Sequence, residues 1–220
     1  MTPILSWLFL STCSPAICGE RPAGLPPDTG VDFVLRKVKE KEDRLKTLEA
    51  LFFQEKQSSL LKELLKSEGT LFFDHAGRRM LVRVEKPRPF KVLLEKGRVV
   101  TSDPTSLETE EYYLGSGDVL GAYLGLGRSP EELKMQYDIS LRNTGSEHTI
   151  ALRLIPKGRR LKRRIRVIDA DVDRRTWLPV LIRYDDARGG STKIRLKIVS
   201  ENQPLPEGVF EIGWGAQESW

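Results

Sequence analysis

The sequence predicts a mainly β protein with some helix (α+β), built on an antiparallel sheet that is curved or barrel-like. Three observations carry this. Apolar and polar residues alternate in several short runs. Turn signals separate those runs. One amphipathic helix precedes them all. In Met80-Leu81-Val82-Arg83-Val84-Glu85 the alternation places Met80, Val82 and Val84 on one face, and Phe90-Lys91-Val92-Leu93-Leu94-Glu95 repeats the pattern.

The elements follow in order. Residues 1–18 read as an export signal, with an apolar run from Ile4 to Leu10 and small residues up to Ala16-Ile17-Cys18, although no Lys or Arg precedes the run. Cleavage after Cys18 would leave no cysteine. Leu10-Ser11-Thr12-Cys13 offers the alternative of a lipoprotein box with Cys13 acylated, for which Thr12 is a poor fit. Residues 19–30 are a flexible Pro/Gly-rich lead-in. A helix is expected to start from an N-cap at Asp28 or Thr29, with Val31, Val34, Leu35, Val38, Leu45 and Leu48 at helical spacing. Leu60 to Leu65 has apolar pairs four apart and on its own looks helical.

Lys86-Pro87-Arg88-Pro89 interrupts two strands, and Lys96-Gly97 turns the chain into Arg98-Val99-Val100. Ser116 to Leu124 is a short, glycine-rich helical patch. Ser129-Pro130-Glu131-Glu132 is a capping box for a helix ending near Tyr137. Strands return around Ile150–Leu154, Leu161–Val167, Leu178–Ile182 and Ile194–Ile198, with a turn over residues 185–190.

The chain has 220 residues, 39% hydrophobic and 30% charged, which suits one globular domain and excludes a disordered tail. No later stretch approaches the roughly 20 apolar residues of a membrane span. The net charge of +5 and pI near 9.2 favour anionic surfaces.

Little here suggests catalysis. His75 and His148 fall in turns, and no nucleophile motif, zinc-protease helix or phosphate loop occurs. No catalytic residue, cofactor or metal is expected. Asp169, Asp171 and Asp173 alternate along a strand end; they could gather a hard cation, but a solvated rim is the better reading. Arg159, Arg160, Lys162, Arg164 and Arg166 form a basic strand. Its ordinary meaning is a solvated face, and its competitor is a surface for anionic head groups or an acidic partner. No aromatic residue interleaves these cations, which argues against nucleic acid.

Several segments, in this order, resemble the LolA-like outer-membrane lipoprotein carriers. They are Phe52-Phe53-Gln54, Glu68-Gly69-Thr70-Leu71-Phe72-Phe73, Arg78 to Pro87, Leu152-Arg153-Leu154-Ile155-Pro156, Trp177-Leu178-Pro179, and Asn202 to Phe210. The resemblance runs over about residues 33–210. The family's Arg-Pro pair is replaced by His75-Ala76, with Arg78 and Arg79 nearby, and its C-terminal Pro-x-Gly is missing.

The resemblance implies one half-barrel domain over 31–213, a tail over 214–220, an extended arm at Leu60–Leu65 and a helical lid. It implies a periplasmic, non-enzymatic carrier of acylated lipoproteins, with an inner-membrane donor, an outer-membrane acceptor and transient membrane contact. A regulatory or lipid-sensing protein of the same fold, binding a partner through the basic strand, is the alternative.

From the residues alone, the alternating apolar positions could simply pack against the first helix. The resemblance instead makes Phe73, Met80, Val82, Val84, Phe90, Val92 and Leu94 the cavity lining, with Val119, Leu120, Tyr123 and Leu124 on the lid. Burial there would contribute ~0.8 kcal/mol per methylene, so release needs a device. Glycines 115, 117, 121 and 125 would each weaken a helical lid by about 0.5–1 kcal/mol. Gly121→Ala is therefore expected to slow lipid exchange between vesicles; an unchanged rate would remove the lid from the release step.

Overall fold

The computed structural model describes residues 30–57, 64–104, 109–113, 128–143 and 146–212. The chain opens with helix α1 (Val31–Arg44) and continues through β1 (Thr47–Gln57), β2 (Leu64–Asp74), β3 (Arg79–Lys86), β4 (Phe90–Glu95), β5 (Arg98–Ser102) and β6 (Thr109–Tyr113). Helix α2 (Pro130–Gln136) leads into β7 (Tyr137–Arg142) and β8 (Thr149–Pro156). The one-turn helix α3 (Arg159–Lys162) precedes β9 (Ile165–Asp173), β10 (Pro179–Asp186) and β11 (Ser191–Glu201).

All eleven strands form one curled antiparallel sheet in the order β6-β5-β4-β3-β2-β1-β11-β10-β9-β8-β7. Strands β6 and β7 are its two edges and do not pair with each other, so the barrel is unclosed. Both edge strands are short, which limits the unpaired backbone they present.

Apart from the basic run before Ile165, the expected strands and turns are in place. Lys96 and Gly97 have φ of 47° and 81° in a two-residue loop between the paired Glu95 and Arg98. Positive φ at both positions is the hairpin turn whose twist matches its strands. The capping box of α2 is complete: Ser129 Oγ accepts from the Glu132 amide, and the Glu132 carboxylate accepts from the Ser129 amide. Leu64 and Leu65 open β2, as the extended arm requires. Residues 58–63, including Leu60, lie outside the described residues, as does the patch at 116–124.

Three expectations are corrected. Helix α1 is capped by Gly30, with no side-chain hydrogen bond, rather than by Asp28 or Thr29. It also ends sooner: Leu45 is its C-cap and Leu48 already belongs to β1, although Leu48 keeps the helical spacing from Leu45 and no breaker stands between them. Lastly, Arg159 to Lys162 form a helical turn between β8 and β9, not a strand.

The strand register divides the sheet into two faces. On the inner face, α1 lays Val34 and Leu35 over Ile150, Leu152 and Val172, with Phe33 edge-on to Trp177 at 5.9 Å. Lys41 pairs with Glu201 at the end of β11, and Lys134 of α2 reaches Asp32 of α1 at 2.5 Å. These bonds fix the helix over the C-terminal strands.

The outer face of the N-terminal strands has its own core. Phe72, Leu81, Leu93 and Val100 are buried beneath Leu205, Val209, Phe210 and Ile212. The covering segment is fastened where it leaves the sheet: Lys46 N–H donates to Asn202 Oδ1 at 2.6 Å, and Thr47 Oγ1 donates to the Gln203 carbonyl at 2.6 Å. Arg79, held by Asp74 at 3.0 Å, lies over the Phe210 ring at 4.1 Å. That contact is worth roughly 0.5–1 kcal/mol at a partly exposed site.

The outer face of β7 to β10 has a ladder of charges instead. Arg153 donates twice to Asp169, at 2.8 and 2.9 Å, and Arg142 adds a third bond at 3.1 Å. Arg183 binds Asp171 through both terminal nitrogens, at 3.3 and 2.9 Å. Both aspartates are buried. The Arg153 hydrogen bond, opposed by burial and reinforced by Arg142, holds the Asp169 carboxyl below its ordinary value.

Two predictions follow from this architecture. A methyl group on Gly69 would stand 2.0 Å from the Arg83 carbonyl oxygen, where β2 and β3 shift register. Gly69→Ala is expected to lower stability by about 1–3 kcal/mol, read as an earlier urea midpoint; an unchanged midpoint would mean the strands part freely there.

Asp169→Asn removes a carboxylate whose arginine partners are 36–37% exposed, so the loss at neutral pH is discounted to about 1–2 kcal/mol. Because the folded pKa is lowered, this stability is present above the unfolded value of about 3.9 and is lost as pH falls through the folded value. The stability gap between wild type and variant is expected to close in acid. A gap constant with pH would assign the effect to packing.

Candidate functional site

The inner face of the N-terminal strands holds the residues expected to meet lipid. Alternation along β2, β3, β4 and β5 turns Leu71, Phe73, Met80, Val82, Val92, Leu94 and Val99 to one side, and β1 and β11 add Leu48 and Ile198. Their burial is graded. Phe73, Met80 and Leu94 are buried against Leu45 and Leu178, at the end where α1 runs into β1. Val82, Val92, Leu71 and Val99 are only partly buried.

Val82 and Val92 are cross-strand partners, and Val84 pairs with Phe90 further along. Val84 is buried and Phe90 is exposed at the strand start. Burial along the face is therefore uneven: Val84, and Phe52 across Gly69 from it, are as buried as Phe73 and Met80, while Val82, Val92 and Phe90 are not. Val119, Leu120, Tyr123 and Leu124, expected on the lid, lie outside the described residues.

The same face continues through the C-terminal strands. Ile194 pairs with Ile182, Ile182 with Ala170, and Ala170 with Leu152. Helix α1 covers the far end, at Ile150, Leu152 and Val172. Between the helix and the N-terminal strands, Ile182, Ile194, Leu196 and Ile198 are half-buried. The continuity of this apolar surface across β1 and β11 is not visible in any single strand, since it depends on pairing between distant segments.

Among the described residues, two clefts on the outer face stand away from these positions. One, of about 460 Å³, lies between Thr47, Asp74, Arg79 and the segment from Leu205 to Glu211. The other, also about 460 Å³, is lined by Phe53, Glu55, Glu68, Lys86 and Arg195 among others. Both are rimmed by charges already paired with each other: Asp74 with Arg79, Glu68 with Lys86, Glu55 with Arg195. An acyl chain would gain little from either.

The remaining candidate residues fall into place separately. The aspartate series is neither a solvated rim nor a cation site: arginines take up Asp169 and Asp171, and Asp173 closes the β9–β10 turn by accepting from the Arg175 and Thr176 amides at 2.8 and 2.9 Å. Sequence reading misses this because the arginines come from three other strands. Among the described residues no group of three His, Cys, Asp or Glu is placed to hold a metal ion, and no helix is long and apolar enough to cross a membrane.

His75 is exposed in the β2–β3 turn, edge-on to Phe73 at 6.2 Å, and His148 is exposed before β8. In the basic run, Arg159, Arg160 and Lys162 are exposed on α3. Arg164 is exposed just after it, and Arg166 at the start of β9 pairs with Asp185 at 2.8 Å. His75-Ala76, standing where the resembled family has its Arg-Pro pair, is part of that exposed turn, while neighbouring Arg79 fastens the C-terminal segment.

No protein-family model and no curated protein matches the chain. Solved structures do match in shape. MucB superposes with a TM-score of 0.54 at 16% identity, over 85% of this chain and 63% of that one. A chain of the Pseudomonas aeruginosa MucA/MucB complex gives 0.52 at 16% identity, over 83% and 61%. The Mycobacterium tuberculosis lipoprotein LppX gives 0.51 at 11% identity, over 81% and 98%. This chain therefore spans about three fifths of the MucB-related chains' length and nearly all of LppX. At such identities the likeness is one of fold alone, and that fold is the unclosed half-barrel implied by the motifs that resemble the LolA-like carriers.

Proposed function

We propose that this protein is an exported, non-enzymatic carrier that takes up acyl chains of lipoproteins on the inner face of its half-barrel and moves them across the periplasm toward the outer membrane. The observation that supports this reading most directly is the graded burial of that face. Val82, Val92, Leu71 and Ile198 belong to one apolar surface yet stay only partly buried, while Ala50 and Phe52 of the same surface, and the clusters at its two ends, are buried. A filled core has no reason to leave its middle short of partners, because each uncovered methylene forgoes ~0.8 kcal/mol.

In this reading Phe73, Met80 and Leu94 form the floor, Val82 and Val92 meet the chains, and Val84 and Phe90 lie toward the opening. Val119, Leu120, Tyr123 and Leu124 cover them. A donor protein at the inner membrane and an acceptor at the outer membrane complete the cycle.

A second reading is supported by the neighbours themselves. MucB is known in complex with MucA, so the fold also serves proteins that hold a protein partner. On that reading this chain is an envelope regulator whose apolar face senses lipid. The two readings differ in what is exchanged: a carrier moves lipid between membranes, whereas a regulator binds lipid and retains its partner.

The test is uptake of a synthetic acylated lipopeptide, followed by native mass spectrometry and by transfer between two vesicle populations. The carrier reading expects a protein–lipopeptide species and transfer. Val82→Asp and Val92→Asp should each weaken uptake by tenfold or more, about 1.4 kcal/mol. If either variant fails to fold, the milder Val82→Thr should still weaken uptake in a protein with a native unfolding transition. Uptake without transfer would favour the regulator, and no uptake by wild type would make the inner face an ordinary core.

A further inference from the structure

Antiparallel pairing gathers one set of strand ends on one rim of the sheet. There stand the end of β1 with the start of β2, the end of β3 with the start of β4, the start of β7, the β8–β9 connection and the β10–β11 turn. Two kinds of exposed side chain concentrate on this rim. The first is cationic. Helix α3 and its C-cap place Arg159, Arg160, Lys162 and Arg163 on a single turn, followed by Arg164, all exposed. Among the described residues none of these five has an ion-pair partner.

The turn is held in place from both sides. The Ala187 amide donates to the Arg164 carbonyl at 3.1 Å, and the Lys157 amide donates to the Gln136 carbonyl at 2.8 Å. The acids nearby are already committed: Asp138 to Lys157, Asp185 to Arg166, and Asp186 to the amides of Arg188 and Gly190.

The second kind is apolar. Of the large apolar side chains exposed in the described residues, Leu64, Leu65, Phe90, Met135 and Ile155 all belong to this rim. Met135 is 70% exposed at the end of α2, and Leu64 51% exposed at the tip of the β1–β2 arm. The opposite rim, at the β2–β3 and β9–β10 turns, carries cations such as Arg78 and Arg175, and of the exposed large apolar side chains in the described residues only Val199, near the end of β11, lies toward it.

We infer that this rim docks on an anionic lipid bilayer, with the α3 cations among the head groups and Met135, Ile155, Leu64 and Leu65 in the interfacial layer. Cations next to exposed aliphatic side chains are the pairing that interfacial binding uses, whereas an acidic protein partner would need only the charges. Each basic residue near an anionic surface strengthens binding by roughly fivefold, and the attraction fades within a Debye length. The inference goes beyond cargo uptake, and cargo-free vesicles test it alone.

The experiment is co-sedimentation of the full chain with phosphatidylglycerol–phosphatidylcholine vesicles and with pure phosphatidylcholine vesicles. Docking expects preference for the anionic vesicles, weakened by salt. Arg160→Glu with Arg163→Glu should lower that binding at least about tenfold, and Met135→Ser with Ile155→Ser should lower it at unchanged net charge. Arg78→Glu with Arg175→Glu, the same charge change on the opposite rim, should leave it nearly intact. Thermal unfolding confirms that each variant folds.

Equal binding to both vesicle types would overturn the inference, as would equal loss from charge reversal on either rim. Loss from the Arg160/Arg163 pair with no effect of the Met135/Ile155 pair would also overturn it, and would point to an acidic protein partner instead.

Discussion

The structure depends on the pairing of β1 with β11. These strands come from opposite ends of the described chain, and their ten-pair register is the seam between the six N-terminal and the five C-terminal members of the sheet. Every other neighbouring pair of strands is consecutive in sequence and could form as a local hairpin or meander. The seam alone needs long-range closure, the slow step in β topologies. It is also unforgiving. A slip of one residue would send Ile194, Leu196 and Ile198 outward and bring Lys193, Arg195 and Lys197 onto the inner face. Ala50, fully buried between Leu71 and Ile198, marks how closely the two halves meet.

Given that seam, each half is covered on a different side. Helix α1 covers the inner face of β7 to β9, while the segment after β11 folds back over the outer face of β2 to β5. A helix is wide and rigid enough to fill a concave surface, and an extended segment suits a convex one. Among the described residues, the inner face of the N-terminal half meets Leu45, at the C-cap of α1, and Leu178, just before β10, both at one end. A partly buried apolar middle is the geometric result of covering the two halves on opposite sides.

Much of this was legible in the sequence, where the physics is local. Alternation located the strands, Lys96-Gly97 the hairpin, and Ser129-Pro130-Glu131-Glu132 the start of α2. The boundary between α1 and β1 was not legible, because Leu48 continues the helical spacing of Leu45 across it. Nor was the outer core. Its signal lay in the unbroken apolar runs Met80-Leu81-Val82 and Val92-Leu93-Leu94, which mark strands buried on both faces. Alternation alone assigns no role to Leu81 and Leu93, which face the other side. Of the candidate site, the strand residues were named and are brought together. The part played by β11 in extending their surface waits on the register, which no local pattern specifies.

Charge follows the same division between local and distant. The sequence places Asp169 and Asp171 two apart, and two carboxylates on one strand face repel unless something separates them. Arg153, Arg142 and Arg183, drawn from β8, β7 and β10, do so in three dimensions. Guanidinium groups suit this place better than ammonium groups, since a planar fork can bind both carboxylate oxygens while its stem covers the strand. Where arginines and carboxylates meet in this way, the outer face of β7 to β10 stays close to neutral. The unmatched positive charge of the basic run is then left at one rim rather than spread over the molecule. A net charge of +5 describes the chain; it is the strand register that decides where the excess is felt.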